Sequence, residues 1–407
     1  MIEIAILGYG TVGSGVAEVI ETNKKDINKK AATDLHIKYI LDLRDFPGDP
    51  YENKVVHDYN IILQDPDVTI ICETMGGNEP AYTFSKQALM AGKSVCTSNK
   101  ELVANHGPEL LRIARENHCN YLFEASVGGG IPIIRPLNYS LTAEKIDAIT
   151  GILNGTTNYI LTRMDKNGAD FEDVLKEAQQ KGYAEKNPEA DVEGYDACRK
   201  IAILSSLMSG KNVNYEKVYT EGITKITAVD FDYAKRMNRS IKLLAMSRQT
   251  DEGFFVMVAP FMISREHPLY NVNDVFNAVY VHGNMLGDSM YYGRGAGKLP
   301  TASAVVSDVV DCARHQGKTI MCFWEAEDVL LTDIDNVSHR FFVRVPAEKK
   351  DAATNLFGTI AEVSAGITSE FAFVTEPIKE KELKEKLGSL GGALCRIRLE
   401  DTVAEEM

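Results

Sequence analysis

The chain has 407 residues with 44% hydrophobic content, an ordinary globular composition that allows about two or three domains with real cores. Lysine and arginine total 44 against 58 aspartates and glutamates, a formal net charge of −14. That balance argues against a nucleic-acid footprint or an anionic membrane surface and makes a small molecule the expected partner. Seven cysteines are scattered without CxxC or metal spacing, which reads as a reducing compartment. No export signal opens the sequence and no apolar run nears the ~18 residues of a membrane span, so a cytoplasmic location is expected.

Ile2 to Leu7 is a nearly continuous apolar run, the pattern of a central parallel strand covered on both faces. It ends in Gly8-Tyr9-Gly10-Thr11-Val12-Gly13, a GxGxxG match, and helix-like content follows from Ser14 to Ile20. Between a strand and a helix this pattern predicts dinucleotide binding: the glycines admit a pyrophosphate and the helix amino end offers it unpaired N–H groups. His36 to Leu41 reads as the second strand. The residues after it disagree, since Asp42 favours NAD and Arg44 favours NADP.

The alternation continues with a strand at Val68 to Cys72, the turn Glu73-Thr74-Met75-Gly76-Gly77, a helix from about Pro80 to Ala91 and a strand at Ser94 to Thr97. Lys100 follows, at the start of the next helix. A cation is poorly placed against the positive end of a helix dipole, so Lys100 is read as functional. Tyr121 to Phe123 is a further strand, and Glu124 to Pro132 holds three glycines in a loop with accessible backbone.

Ile146 to Leu153 is strand-like. The segment Gly182 to Met208 then passes from an acidic loop, with Glu185, Glu189, Asp191 and Glu193, into an apolar helix read as starting at Pro188 and Asp191. Asp196 and Lys200 are four apart and share a face exactly where the pattern turns from solvated to buried. Such a cluster can bind a small cationic substrate and pass it a proton. Beyond Gly210, Phe231 to Arg248 reads as an amphipathic helix, with strands at Phe254 to Pro260 and Val279 to Gly283. Near the carboxyl end, Arg340 to Val345, Glu370 to Val374 and Leu394 to Leu399 are strand-like, while Asp351 to Val363 and Ile378 to Leu387 are helical.

The blocks FEASVGGGIPIIRPL (123 to 137), GILNGTTNYIL (151 to 161), GYAEKNPEADVEGYDACRK (182 to 200) and RGAGKLPTASAVVSD (294 to 308) resemble homoserine dehydrogenase, and the likeness spans Ile2 to about residue 325. The resemblance implies NAD(P)H-dependent, reversible reduction of L-aspartate 4-semialdehyde to L-homoserine, a step toward threonine, methionine and isoleucine. No aspartokinase segment precedes the blocks, as expected of a monofunctional form. It further implies that Lys100 contacts the cofactor and reaches the reacting centre, that Glu185 holds the substrate amino group, and that Asp196 and Lys200 orient the substrate and transfer its proton. Cofactor contacts are expected at Gly8, Gly10, Thr11, Val12, Gly13, Arg44, Lys100 and Gly297. A sodium ion held mainly by backbone oxygens falls on Glu124, Val127, Gly129 and Ile131.

The expected architecture is α/β: a Rossmann-type doubly wound nucleotide domain over 1–135, completed by about 300–325, then an α+β substrate and oligomerisation domain over 136–299. The tail, 338–407, resembles a ferredoxin-like ACT domain. Its first strand is followed by Pro346-Ala347-Glu348-Lys349-Lys350-Asp351 in place of an acidic Gly/Pro turn, so threonine control and a plain dimerisation appendage both stay open. A homodimer or homotetramer is expected. Two other function classes compete with this reading. A non-catalytic NAD(P)-binding amino-acid sensor would not need Glu185, Asp196 and Lys200 together. An acylating dehydrogenase needs a nucleophilic cysteine paired with histidine, and neither Cys72 nor Cys96 stands in such a motif.

Overall fold

A computed structural model describes residues 1–401. The chain forms two compact units, one of residues 1–143, 202–214 and 291–328, the other of 144–201, 215–290 and 329 onward. Among the described residues no helix is long and apolar enough to cross a membrane.

The first unit opens with β1 (Ile2–Leu7), α1 (Thr11–Thr22), α2 (Lys24–Ala31), β2 (Leu35–Leu41), β3 (Val55–Val56), α3 (Tyr59–Gln64) and β4 (Val68–Glu73). It continues through α4 (Ala81–Met90), β5 (Ser94–Thr97), α5 (Lys100–Glu116) and β6 (Tyr121–Leu122). All strand pairs are parallel and the order is β3-β2-β1-β4-β5-β6, the Rossmann arrangement. Ile4, Ile6, Ile40, Ile70 and Cys72 are buried at its centre. Continuous apolar strands formed here because helices cover the sheet on both faces.

The second unit begins with β7 (Ile146–Ile152), α6 (Gly155–Asn167), α7 (Phe171–Gln180), α8 (Glu189–Val192) and the first half of α9 (Tyr195–Ser209), whose residues from 202 on belong to the first unit. The expected single helix from Asp191 is broken: Gly194 has φ +85, and its α-carbon lies against Thr220 and Val258. Next come β8 (Tyr219–Thr220), α10 (Ala228–Arg236), β9 (Arg239–Thr250), β10 (Gly253–Ser264), β11 (Phe276–Gly283) and β12 (Gly287–Arg294). The helix expected over Phe231 to Arg248 is wrong beyond Arg236. Asn238, at φ +55, ends it, and β9 lies between β7 and β10. Residues 240–247 are all buried, so this strand shows no alternation and its apolar residues fall by accident on a helical period.

After α11 (Lys298–Arg314), which belongs to the first unit, the chain adds β13 (Ser338–His339), β14 (Phe341–Pro346), α12 (Lys350–Phe357), β15 (Ile360–Val363), β16 (Glu370–Thr375), β17 (Ile378–Lys379), α13 (Glu380–Ser389) and β18 (Cys395–Glu400). The helix expected to Val363 stops at Phe357, because Gly358 at φ +71 turns the chain into β15. The mixed sheet runs β12-β11-β7-β9-β10-β18-β14-β16-β15, with β8 beside β10. The carboxyl-terminal strands thus extend the middle region's own sheet through the parallel pair β10 and β18.

Candidate active site

In the first unit the glycines of the first turn are dictated by space. Gly8 has φ +86, and a β-carbon on Gly13 would lie 2.0 Å from the Gly8 carbonyl. Gly10 caps α1 without a side-chain hydrogen bond, so the first-turn N–H groups around Thr11 and Val12 are presented to an anion. Gly15, rather than Gly13, provides the close helix contact, its α-carbon facing Ala302 and the Lys298 carbonyl of α11. Ala302 and Ala304 of α11 are therefore packing residues. Gly297, φ +123, stands at the cap of α11.

Asp42 and Arg44 are partners rather than competitors. Arg44 donates two hydrogen bonds to the Asp42 carboxylate at 2.9 and 3.0 Å, and the Tyr9 N–H adds a third at 2.8 Å. The guanidinium holds the Asp42 carboxyl down to about 2. A cleft of about 430 Å³ opens here, lined by Gly8, Asp42, Arg44, His57, Tyr59 and Met75 among others. His57 donates from Nδ1 to the Asp42 carbonyl, 2.7 Å away, a contact that raises its pKa.

Lys100 is the first residue of α5. Asn99 caps that helix, accepting the Leu102 N–H at 3.1 Å while donating to the Gly77 carbonyl at 2.7 Å. The lysine is half-buried and engaged with neighbours. In the loop read as a metal site, Glu124 does not offer its carboxylate. Its two oxygens accept the N–H groups of Ile133, Ile134 and Arg135 at 2.6 to 2.9 Å. Among the described residues no backbone N–H outside helices and strands bonds to the carbonyls of Val127, Gly129 or Ile131, and no cluster of His, Cys, Asp and Glu could hold a metal. The donor set there is carbonyl oxygen, which suits a hard cation.

The second unit brings Asp196 and Lys200 together. Lys200 lies 2.7 Å from Asp196 and donates to the Leu153 carbonyl at 2.8 Å. Both side chains are at most 10% exposed. Asn154 donates to Asp196 at 2.9 Å and to Asp191 at 2.7 Å, while its own carbonyl caps α6 by accepting the Thr157 N–H. Helix α9 presents Asp196 and Lys200 one turn apart, and the end of β7 delivers Leu153 and Asn154 to meet them. Asn154 was missed as a site residue; its signal was an asparagine directly before a helix. Glu185 is not gathered in: it is exposed, and its backbone carbonyl accepts from Gln179.

The thiols do not fit acyl transfer. Cys72 and Cys96 are fully buried, Cys96 contacts Cys312 sulfur to sulfur at 3.6 Å, and burial pushes both well up from reactive range. Family models for homoserine dehydrogenase match residues 132–310, and for the homoserine dehydrogenase NAD-binding domain residues 8–124. Homoserine dehydrogenase of Synechocystis is 47% identical over 320 residues, covering 76% of this chain and 73% of that protein. The chain belongs to the homoserine dehydrogenase family. It is an NAD(P)-dependent oxidoreductase in which a Rossmann-like parallel sheet is joined to a mixed-sheet unit. Among solved structures, the homoserine dehydrogenase of Thiobacillus denitrificans has 34% identity and a TM-score of 0.90, covering 98% of each chain. A hyperthermophilic archaeal homoserine dehydrogenase in complex with NADPH has 29% identity and a TM-score of 0.65, covering 76% of this chain and 97% of that one.

Proposed function

We propose that this homoserine dehydrogenase interconverts L-aspartate 4-semialdehyde and L-homoserine, with Lys200 as the proton-transferring group and Asp196 as the residue that holds it. The arrangement of Lys200 between Asp196 and the Leu153 carbonyl carries this reading. An ammonium has three N–H donors. Two are fixed by these partners, and the third is left for the substrate oxygen. The bound nicotinamide supplies the hydride that reaches the aldehyde carbon. Lys200 protonates the alkoxide as charge develops on it, and in the reverse direction neutral Lys200 takes the hydroxyl proton of homoserine. Asp191 and Asp196, ordered by Asn154, and Glu185 on its exposed loop would receive the substrate's ammonium group. Homoserine-dependent reduction of NAD or NADP by the purified protein tests the reading; no reduction by protein that still binds cofactor would overturn it.

The cofactor's pyrophosphate is assigned to Gly8, Gly10, Thr11, Val12 and Gly13, its nicotinamide end to Lys100 and Gly297, and its adenosine to the cleft at Asp42 and Arg44. Because Arg44 occupies the Asp42 carboxylate, that acid is taken from ribose hydroxyls and the guanidinium is the group at hand for a 2′-phosphate. NADP is therefore the preferred cofactor in this reading. A sodium ion would sit on the carbonyls of Val127, Gly129 and Ile131 with that of Glu124, tying down the glycine loop.

The domain partition is 1–135 with about 300–325, then 136–299, then 338–407. The last carries β14-α12-β15-β16-α13-β18 with the sheet order β18-β14-β16-β15, the split βαβ order that supports an ACT-like reading. Threonine is the effector to test. The enzyme is assigned as cytoplasmic and a homodimer or homotetramer, with β12 at the sheet edge and its Met290 and Tyr292 exposed as the candidate seam.

A further inference from the structure

The turn Glu73-Thr74-Met75-Gly76-Gly77 has no role in the chemistry so far, yet it carries a carboxyl group that is 0% exposed at the carboxyl end of β4. Burying such a group costs stability unless its oxygens are well satisfied, and here they are satisfied by the loop that leads to Lys100. One carboxylate oxygen accepts the Thr97 hydroxyl at 2.5 Å. The Thr97 oxygen accepts the Asn99 N–H at 2.9 Å, and the Glu73 carbonyl accepts the Ser98 N–H at 3.4 Å. The other carboxylate oxygen accepts the Met75 N–H at 2.8 Å. On its far side the same turn is joined to the glycine turn, with Thr74 donating from its N–H to the Leu7 carbonyl and from its hydroxyl to the Gly8 carbonyl.

We infer that Glu73 is a positioning residue for the cofactor end of the reaction, setting through Thr97 and Asn99 where Lys100 stands. This rests on the reading of Lys100 as the lysine that contacts the cofactor. Burial, the largest cause, pushes the Glu73 carboxyl up to about 7, against the hydrogen bonds from Thr97, Met75 and Asn99, and the buried Tyr121 phenol on β6 is the ionisable group that faces it. When Glu73 is ionised, the chain of donors runs in one direction, from the Asn99 N–H to the Thr97 oxygen and from the Thr97 hydroxyl to the carboxylate. When it is protonated, the bond from the Thr97 hydroxyl loses its charge assistance and the loop loosens. The positioned state is the ionised one.

The test is the pH profile of kcat/KM for NADPH at saturating L-aspartate 4-semialdehyde, the direction in which the proton donor Lys200 gives no acid limb, for the wild type, Glu73→Gln, Thr97→Val and Thr97→Ser. The expected wild-type profile falls as pH drops through about 7. Glu73→Gln should sit about tenfold below the wild-type plateau and lose that limb, since small misplacements near reacting groups cost tenfold or more. Thr97→Val should match it and Thr97→Ser should restore the wild-type profile, a pair that carries the test even where Glu73→Gln folds poorly. An unchanged limb in Glu73→Gln, or equal profiles for the two threonine variants, overturns the inference. Lys100→Met separates the two ideas. If it has wild-type kinetics, the reading of Lys100 fails; if it is impaired while the Glu73 and Thr97 variants are not, only the positioning role fails.

Discussion

The parallel sheet of the nucleotide-binding unit and the mixed sheet of the second unit treat buried charge in opposite ways. In the parallel sheet, the buried acid Glu73 stands at a strand end and is raised to about 7 by burial. In the mixed sheet, the buried bases lie within or beside strands: Lys242, lowered to about 8, donates to the Val272 carbonyl and Asn273, and His339 is lowered to about 3. The first places a proton acceptor where strand ends meet a ligand. The second holds Lys242 on backbone and Asn273, and elsewhere pairs its buried charges with one another, Arg344 with Asp230 and Arg398 with Glu380. The perturbed acid at the strand end is the group proposed for function, whereas the perturbed thiols of the same unit and the perturbed bases of the other are accounted for by burial.

The largest effect expected from this contrast is at Lys200. Lys200→Ala should lower turnover by about 10²- to 10⁴-fold, the worth of general acid–base catalysis, with cofactor affinity unchanged in a fluorescence titration. Lys242→Met, at a still more deeply buried lysine of the same unit, should leave turnover within about threefold because its ammonium is hydrogen-bonded to backbone and Asn273. Equal losses in the two would break the comparison. Next comes Asp196→Ala, which strands a buried ammonium and should cost about 3 kcal/mol in denaturant unfolding, whereas Asp196→Asn should retain most stability and still lose turnover.

Smaller is the pH dependence of stability, which should carry opposite signs in the two units. The Glu73 pKa is higher in the folded state than unfolded, so its stabilisation is full at low pH and is lost as pH rises from the ordinary glutamate range through about 7, at most about 3 kcal/mol. The His339 pKa is depressed, so its contribution is full above the ordinary histidine value near 6.5 and is lost as pH falls toward 3. Thermal melts of Glu73→Gln and His339→Phe against pH should flatten one limb each; a single variant flattening both would contradict the assignment. The smallest effect is at Arg44. Arg44→Ala should reduce the NADP to NAD preference by about tenfold, the value of one charge-assisted hydrogen bond, and an unchanged ratio would remove Arg44 from discrimination.

The same contrast explains what could be read from the chain. Parallel strands such as Ile2 to Leu7 are short and continuously apolar, and glycine punctuates them, so the nucleotide-binding unit was legible nearly element by element. Strand β9 was not, because burial on both faces removes the alternation that identifies a strand, and Ile241, Leu244, Ala245 and Arg248 mimic a helical face. The pair Asp196 and Lys200 was visible because both lie on one helix. Asn154 and Leu153 reach the pair across 42 or more residues, a closeness that only tertiary packing creates. The ion pair between Asp42 and Arg44 was hidden for a similar reason: sequence shows two opposed cofactor signals, and only the turn after β2 folds the guanidinium back onto the carboxylate.

The most direct test of the account is homoserine-dependent reduction of NADP by the wild type and by Lys200→Ala, each shown to be folded and to bind NADP. The account predicts rapid, homoserine-dependent reduction by the wild type and a loss of at least about a hundredfold in the variant at unchanged cofactor affinity. Near-equal rates would contradict it, because the one buried cation held by Asp196 and the Leu153 carbonyl would then have no part in moving the substrate's proton.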